Sequence, residues 1–248
     1  MSTEQAHPAQ VREAIPPSPP SRLTRVQLAC GAIGPPLFVV VFLIEGATRP
    51  DYHPLRHPVS SLAIADSGWM QRANFVITGL LVLAFAFGLR PALRRYRPGI
   101  WAPLLIGLFA IGLIGAGMFT SDPISGYPPG TPMAPDGTTH GQLHDTFSAL
   151  VFLGLPVACL VVAYRSTKSG HRTWARYSVG TAAAFLTGFV LTSMGFAQNP
   201  TLMPIGGLLQ RITIIIGFAW LTALSMYLLR QSGRGHQPSQ TNTVTYSS

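Results

Sequence analysis

Residues 138–164 read TTHGQLHDTFSALVFLGLPVACLVVAY, a polar mouth of two histidines and an aspartate leading into a long run without a charge. Crossing the hydrocarbon of a bilayer takes about 20 apolar residues in a helix, and this stretch is long enough. A helix is the spanning form it can take alone, because an isolated strand leaves its backbone polar groups unpaired in lipid. His140, His144 and Asp145 are costly in such a place unless they are solvated at the surface or paired in a site.

Working outward, the same pattern recurs. The chain has 248 residues, of which 48% are hydrophobic and 10% charged, against about 25% charged in a typical soluble domain. Apolar runs lie near 26–46, 69–89, 100–120, 141–164, 175–196 and 206–229. They predict an all-α integral membrane bundle of six transmembrane helices over residues 23–230, with a disordered tail at 1–22 and another at 231–248. Pro156 is expected to bend the fourth span. Cys30 and Cys159 both fall toward the inner half of the bilayer, where no disulfide is expected.

Charge gives the orientation. Arg12, Arg22, Arg25, Arg90, Arg94, Arg95, Arg97, Arg165, Lys168, Arg172, Arg176, Arg230 and Arg234 gather on one side, leaving Arg49, Arg56, Arg72 and Arg211 on the other. The positive-inside rule then places both termini in the cytoplasm. A net charge of +9 spread in clusters between spans is a topology signal, not a nucleic-acid patch, so the lipid bilayer is the expected partner and nucleic acid is not. The acids Glu45, Asp51, Asp66, Asp122, Asp136 and Asp145 fall on the outer side, with His53, His57, His140 and His144. Any chemistry faces outward.

Three features are candidates for function. Thr139 and Gln142 fit a capping box, which makes His140 and His144 helical, on one face, with Ser148 a turn deeper. Histidines at that spacing suit a metal ion, zinc above all, and haem is the alternative group; Asp122 and His57 are the further metal-ligand candidates. The dipeptide Gln71-Arg72 opens the second span and Gln210-Arg211 the sixth. An arginine inside a helix N-terminus opposes the dipole and needs a partner. Inward-facing pairs with Glu45, Asp122 or Asp145 are expected, with Asn74 at the same level; snorkelling to the headgroups is the competing reading. Small residues recur every four positions at Gly180, Ala184, Gly188 and Thr192, and again at Gly112 and Ala116, which predicts close helix packing.

The ordered set HPVSSLA, GWMQRANFVITGLL, GMFTSDP, GYPPGTP, HGQLHD and LLQRITIIIGFAWL resembles the domain of unknown function 998 family of bacterial multi-pass membrane proteins, over roughly residues 30–230. The resemblance implies six spans in a bacterial cytoplasmic (inner) membrane and carries no activity, cofactor or catalytic residue. The expectation is therefore a membrane protein with an outward polar cavity that binds or senses a small-molecule or lipid ligand through Glu45, Gln71, Arg72, Asn74, Asp145, Gln210 and Arg211. The alternative is a membrane-embedded zinc hydrolase acting on a lipid or amide, drawing on His57, Ser60, Ser61, Asp122, His140 and His144. A transporter needs ionisable groups through the full bilayer, and the inner halves of these spans have no acid.

Overall fold

Ser21 starts the first helix by accepting from the Thr24 amide at 3.2 Å, a serine cap that satisfies one of the orphan donors of a helix N-terminus. The computed structural model describes residues 21–64, 66–93 and 99–234. Its helices are α1 (Arg22–Thr48), α2 (Trp69–Leu93), α3 (Trp101–Met118), α4 (Thr139–Lys168), α5 (Arg172–Phe196) and α6 (Gly206–Arg234). All six are long and apolar enough to cross a membrane. The N-terminal tail to residue 20, Arg94, Arg95, Arg97 and the C-terminal residues from 235 lie outside the described residues.

The spans match the predicted runs, and several helices extend past them at the basic end. Bilayer thickness sets the length of the apolar run; the helix itself continues into polar sequence. α6 runs on to Arg234, past the predicted boundary at 230. α4 passes through Pro156 unbroken, and α1 likewise carries Pro35 and Pro36. Neighbouring helices make such prolines tolerable within a membrane.

The helices form a closed ring. Each packs on its neighbours in sequence, and α6 returns to pack on α1, the arrangement that short connections favour. The ring is filled by aromatic rings: Phe38 of α1 lies 5.0 Å from Phe75 of α2 and 5.1 Å from Phe218 of α6. Phe109 of α3 reaches the same Phe218 at 5.7 Å. Trp220, fully buried, donates its indole N–H to Ser178 Oγ at 2.9 Å and ties α6 to α5.

Small residues bring α3 against α4. A side chain at Gly112 would meet the Phe147 carbonyl oxygen at 2.7 Å, and Ala116 is 1% exposed. The predicted seam on α5 holds only in part. Thr192 is buried and Gly188 sits against Thr213, but Gly180 has open space beside it and Ala184 is exposed. The face that α5 buries at its basic end is Ala175, Ser178, Thr181, Ala182 and Phe185 instead. The four-residue repeat drifts around a helix of 3.6 residues per turn and leaves the interface. Cys30 and Cys159 are both free.

Candidate functional site

Two long connections, 49–68 and 119–138, cover the end of the bundle opposite the termini. The first is held down by Arg211. Only 5% of Arg211 is exposed. Its guanidinium donates to the carbonyl oxygens of Pro54 at 2.5 Å, His57 at 3.0 Å and Gly207 at 2.9 Å. It also donates to the Tyr52 hydroxyl, which passes its own proton toward Pro58 O at 2.8 Å. The Tyr52 and Phe42 rings lie beneath the cation at 5.4 and 5.9 Å. The fork of five N–H donors suits a curved set of carbonyls. Gly207 lets the loop this close: a side chain there would meet His57 O at 2.5 Å and Pro54 O at 2.7 Å.

The expected pairing of Arg211 with an acid is thus overturned. Glu45, buried, pairs with Arg49 at 3.2 Å, and backbone carbonyls spread the charge of Arg211. Gln210 adds a second tie, accepting from the Val59 amide at 2.7 Å. The matching dipeptide on α2 splits differently. Gln71 is buried and accepts from Asn74 Nδ2 at 3.2 Å, while Asn74 also donates to Phe38 O at 3.1 Å. Arg72 is exposed. The register of α2 turns Gln71, Asn74 and Thr78 inward, and Arg72 one step round falls at the surface, where its head stays wet.

Under the loop sits an aromatic group. Tyr127 lies 5.2 Å from Tyr52 and 5.1 Å from His57. His57 Nδ1 accepts from the His53 amide at 3.0 Å. Burial pushes the His57 pKa down to about 4, helped by the positive fields of His53, Arg56 and Arg211 and opposed by a backbone hydrogen bond with Ser125. Burial likewise lifts Tyr52 to about 12, against the pull of Arg211, and raises Tyr127. Burial thus favours the neutral forms of His57, Tyr52 and Tyr127.

The second connection is organised by Asp122. Its Oδ2 accepts from the Thr138 amide at 2.9 Å and its Oδ1 from the Thr138 hydroxyl. Thr138 Oγ1 in turn accepts from Gly141 N at 3.1 Å and caps α4. The cap therefore lies one residue before the predicted Thr139, and Gln142 donates to Gly137 O at 2.8 Å instead of closing a capping box. Asp122 selects between the adjacent threonines.

His144 is buried with Nδ1 3.0 Å from Ala116 O and 2.9 Å from Phe119 O. A carbonyl only accepts, so Nδ1 carries a proton, and in the neutral ring Nε2 is an acceptor. This histidine satisfies the open carbonyls at the end of α3. His140, a turn outward on the same helix, is exposed with its ring 5.7 Å from Phe119. His57, Asp122, His140 and His144 do not converge. Among the described residues no group of three or more His, Cys, Asp or Glu is disposed to hold a metal ion.

Between these anchors lies a cavity of about 350 Å³ inside the ring, at the end away from the termini. Phe38, Phe75, Phe152, Phe189, Phe196 and Phe218 line it. Ser60, Ser121, Asp122, His144, Asp145, Ser148 and Gln210 give it polar groups, and among the described residues no lysine or arginine lines it. Thr192 also lines it, 3% exposed, with a hydroxyl that has no partner among the described residues. Of the predicted residues, Asp122, His144, Asp145 and Gln210 reach this cavity. Arg72 and His140 line a separate shallow recess with Asp122 and Thr138. Glu45, Gln71, Asn74, His57 and Arg211 support the walls and the loop. Sequence reasoning missed Tyr52, Tyr127, Thr138 and the phenylalanines. Thr192 was in view as a packing residue, and its hydroxyl was the available signal.

A family described as Protein of unknown function (DUF998) matches residues 32–227, which take in most of every helix. No curated protein and no solved structure matches the chain.

Proposed function

The chain belongs to the DUF998 family, and from that premise we propose that it is a binding protein of a bacterial inner membrane. Its termini lie in the cytoplasm and its cavity opens toward the outer face, as the arginine distribution supports. The ligand is an amphiphile whose apolar part enters the ring. The observation that carries this reading is the cavity of about 350 Å³, lined by phenylalanines together with serines, two carboxylates and a histidine. Ligand sites share this build: apolar walls supply affinity, and a few polar groups fix orientation.

Donor geometry favours binding over the hydrolase. Both Asp122 oxygens accept from Thr138, His57 Nδ1 accepts from His53, and His144 Nδ1 faces two carbonyls. Asp122 and His57 are spent on separate structural tasks, and His144 keeps only Nε2 open.

The test is equilibrium binding of a fluorescent hexadecyl amphiphile with an uncharged head to the purified protein in an uncharged detergent. Saturable binding is expected, and Ser148→Phe or Ala149→Phe should remove it while helix content and melting temperature survive. Equal binding by the wild type and both filled variants would defeat the proposal.

A further inference from the structure

Resting on that binding reading, we infer that the cavity selects an amphiphile with an ammonium head and rejects one with an anionic head. Among the described residues the ionisable groups lining it are Asp122, Asp145 and His144, with no lysine or arginine. Asp122 has both oxygens on Thr138, yet its negative charge remains beside the cavity. Asp145 is exposed at the same end. His144 in its neutral form presents an acceptor at Nε2, because Nδ1–H is committed to the carbonyls of Ala116 and Phe119.

The balance of hydrogen-bonding groups agrees with the charge. Ser193, also in the lining, donates its hydroxyl to Phe189 O at 2.9 Å and keeps only acceptor capacity. Thr192 is 3% exposed with an unpartnered hydroxyl in the cavity wall, a buried polar group that a ligand would satisfy. Donors on the protein side are the remaining hydroxyls and the Gln210 amide, whose Oε1 is held by Val59 N. A carboxylate or phosphate would enter a site with two carboxylates and, among the described residues, no lysine or arginine. An ammonium brings three donors and a positive charge to a surplus of acceptors. Charges a few ångströms apart near a protein surface interact strongly enough to discriminate by more than an order of magnitude.

The nearby arginines do not reverse this sign. Arg211 is enclosed by loop carbonyls and is not in the lining, and Arg72 is exposed on the adjoining recess.

The experiment displaces the uncharged fluorescent probe with hexadecylamine, hexadecanol and hexadecanoate near neutral pH, with empty micelles as the blank. Hexadecylamine should compete at least about tenfold more tightly than hexadecanoate, about 1.4 kcal/mol, with hexadecanol between them. Asp145→Asn, at an exposed position, should shrink that ratio severalfold. Hexadecanoate competing as well as hexadecylamine overturns the head-group inference and leaves the binding reading standing. Absence of probe binding to the wild type overturns both. A ratio unmoved by Asp145→Asn and by the second variant Asp122→Asn, each checked for a retained fold, removes the carboxylates as its cause.

Discussion

Arg211 Nη1 donates to Pro54 O at 2.5 Å across a sequence separation of 157 residues, pinning the outer loop to the start of α6. With Gly207 and His57 carbonyls beside it, this buried cation needs no carboxylate. Arg211→Met should leave these oxygens unsatisfied and lower stability by on the order of 3 kcal/mol. Arg211→Lys should recover only part, since an ammonium lacks the planar fork. Thermal unfolding in detergent measures both; a wild-type melting temperature in Arg211→Met would refute the pin.

His57 makes the loop sensitive to acid. Its folded pKa of about 4 lies below the ordinary 6.5, so the unfolded chain binds the proton more readily. Stability from this group is complete above about pH 6.5 and falls as pH drops toward 4. Unfolding midpoints across that window should decline in the wild type and decline less in His57→Gln. Parallel curves would show that His57 is not the group responsible.

The glycines on α5 separate packing from periodicity. Gly180 has open space, so Gly180→Ala should stabilise the helix by up to about 1 kcal/mol. At Gly188 the added carbon meets Thr213, and Gly188→Ala should destabilise. Opposite signs in a denaturation assay are the expected outcome.

These cases mark how far the sequence could be read. Six spans and their limits were legible because bilayer thickness fixes apolar length. Inward and outward faces were not, since lipid and core are both apolar and the hydrophobic pattern that separates them in a soluble helix is lost. Hence Arg72 and Arg211, identical in sequence setting, part company: one exposed, one enclosed. The need of Arg211 for a partner was readable from its helix position. The partner was not, because a backbone carbonyl belongs to every residue. The capping-box pattern pointed to Thr139, and the cap falls on Thr138 because Asp122, distant in sequence, meets that residue.

Asp122 joins the second connection to α4, and Asp122→Ala should cost about 1–2 kcal/mol through loss of the supported cap. Thr138→Ala should cost a similar amount, and the double variant little more than either alone. Added zinc should leave the wild-type unfolding midpoint unchanged. A saturable rise in that midpoint, lost in His144→Ala, would restore the metal centre.

The central claim is a cavity open to the outer face and fit for an amphiphile, and Ser148, in its lining, tests it most directly. In a chain with Cys30→Ser and Cys159→Ala, Ser148→Cys is treated on intact cells with a membrane-impermeant maleimide, with and without hexadecylamine. We expect labelling from outside, slowed by the amphiphile. Labelling only after permeabilisation, or at a rate the amphiphile does not change, would contradict the account.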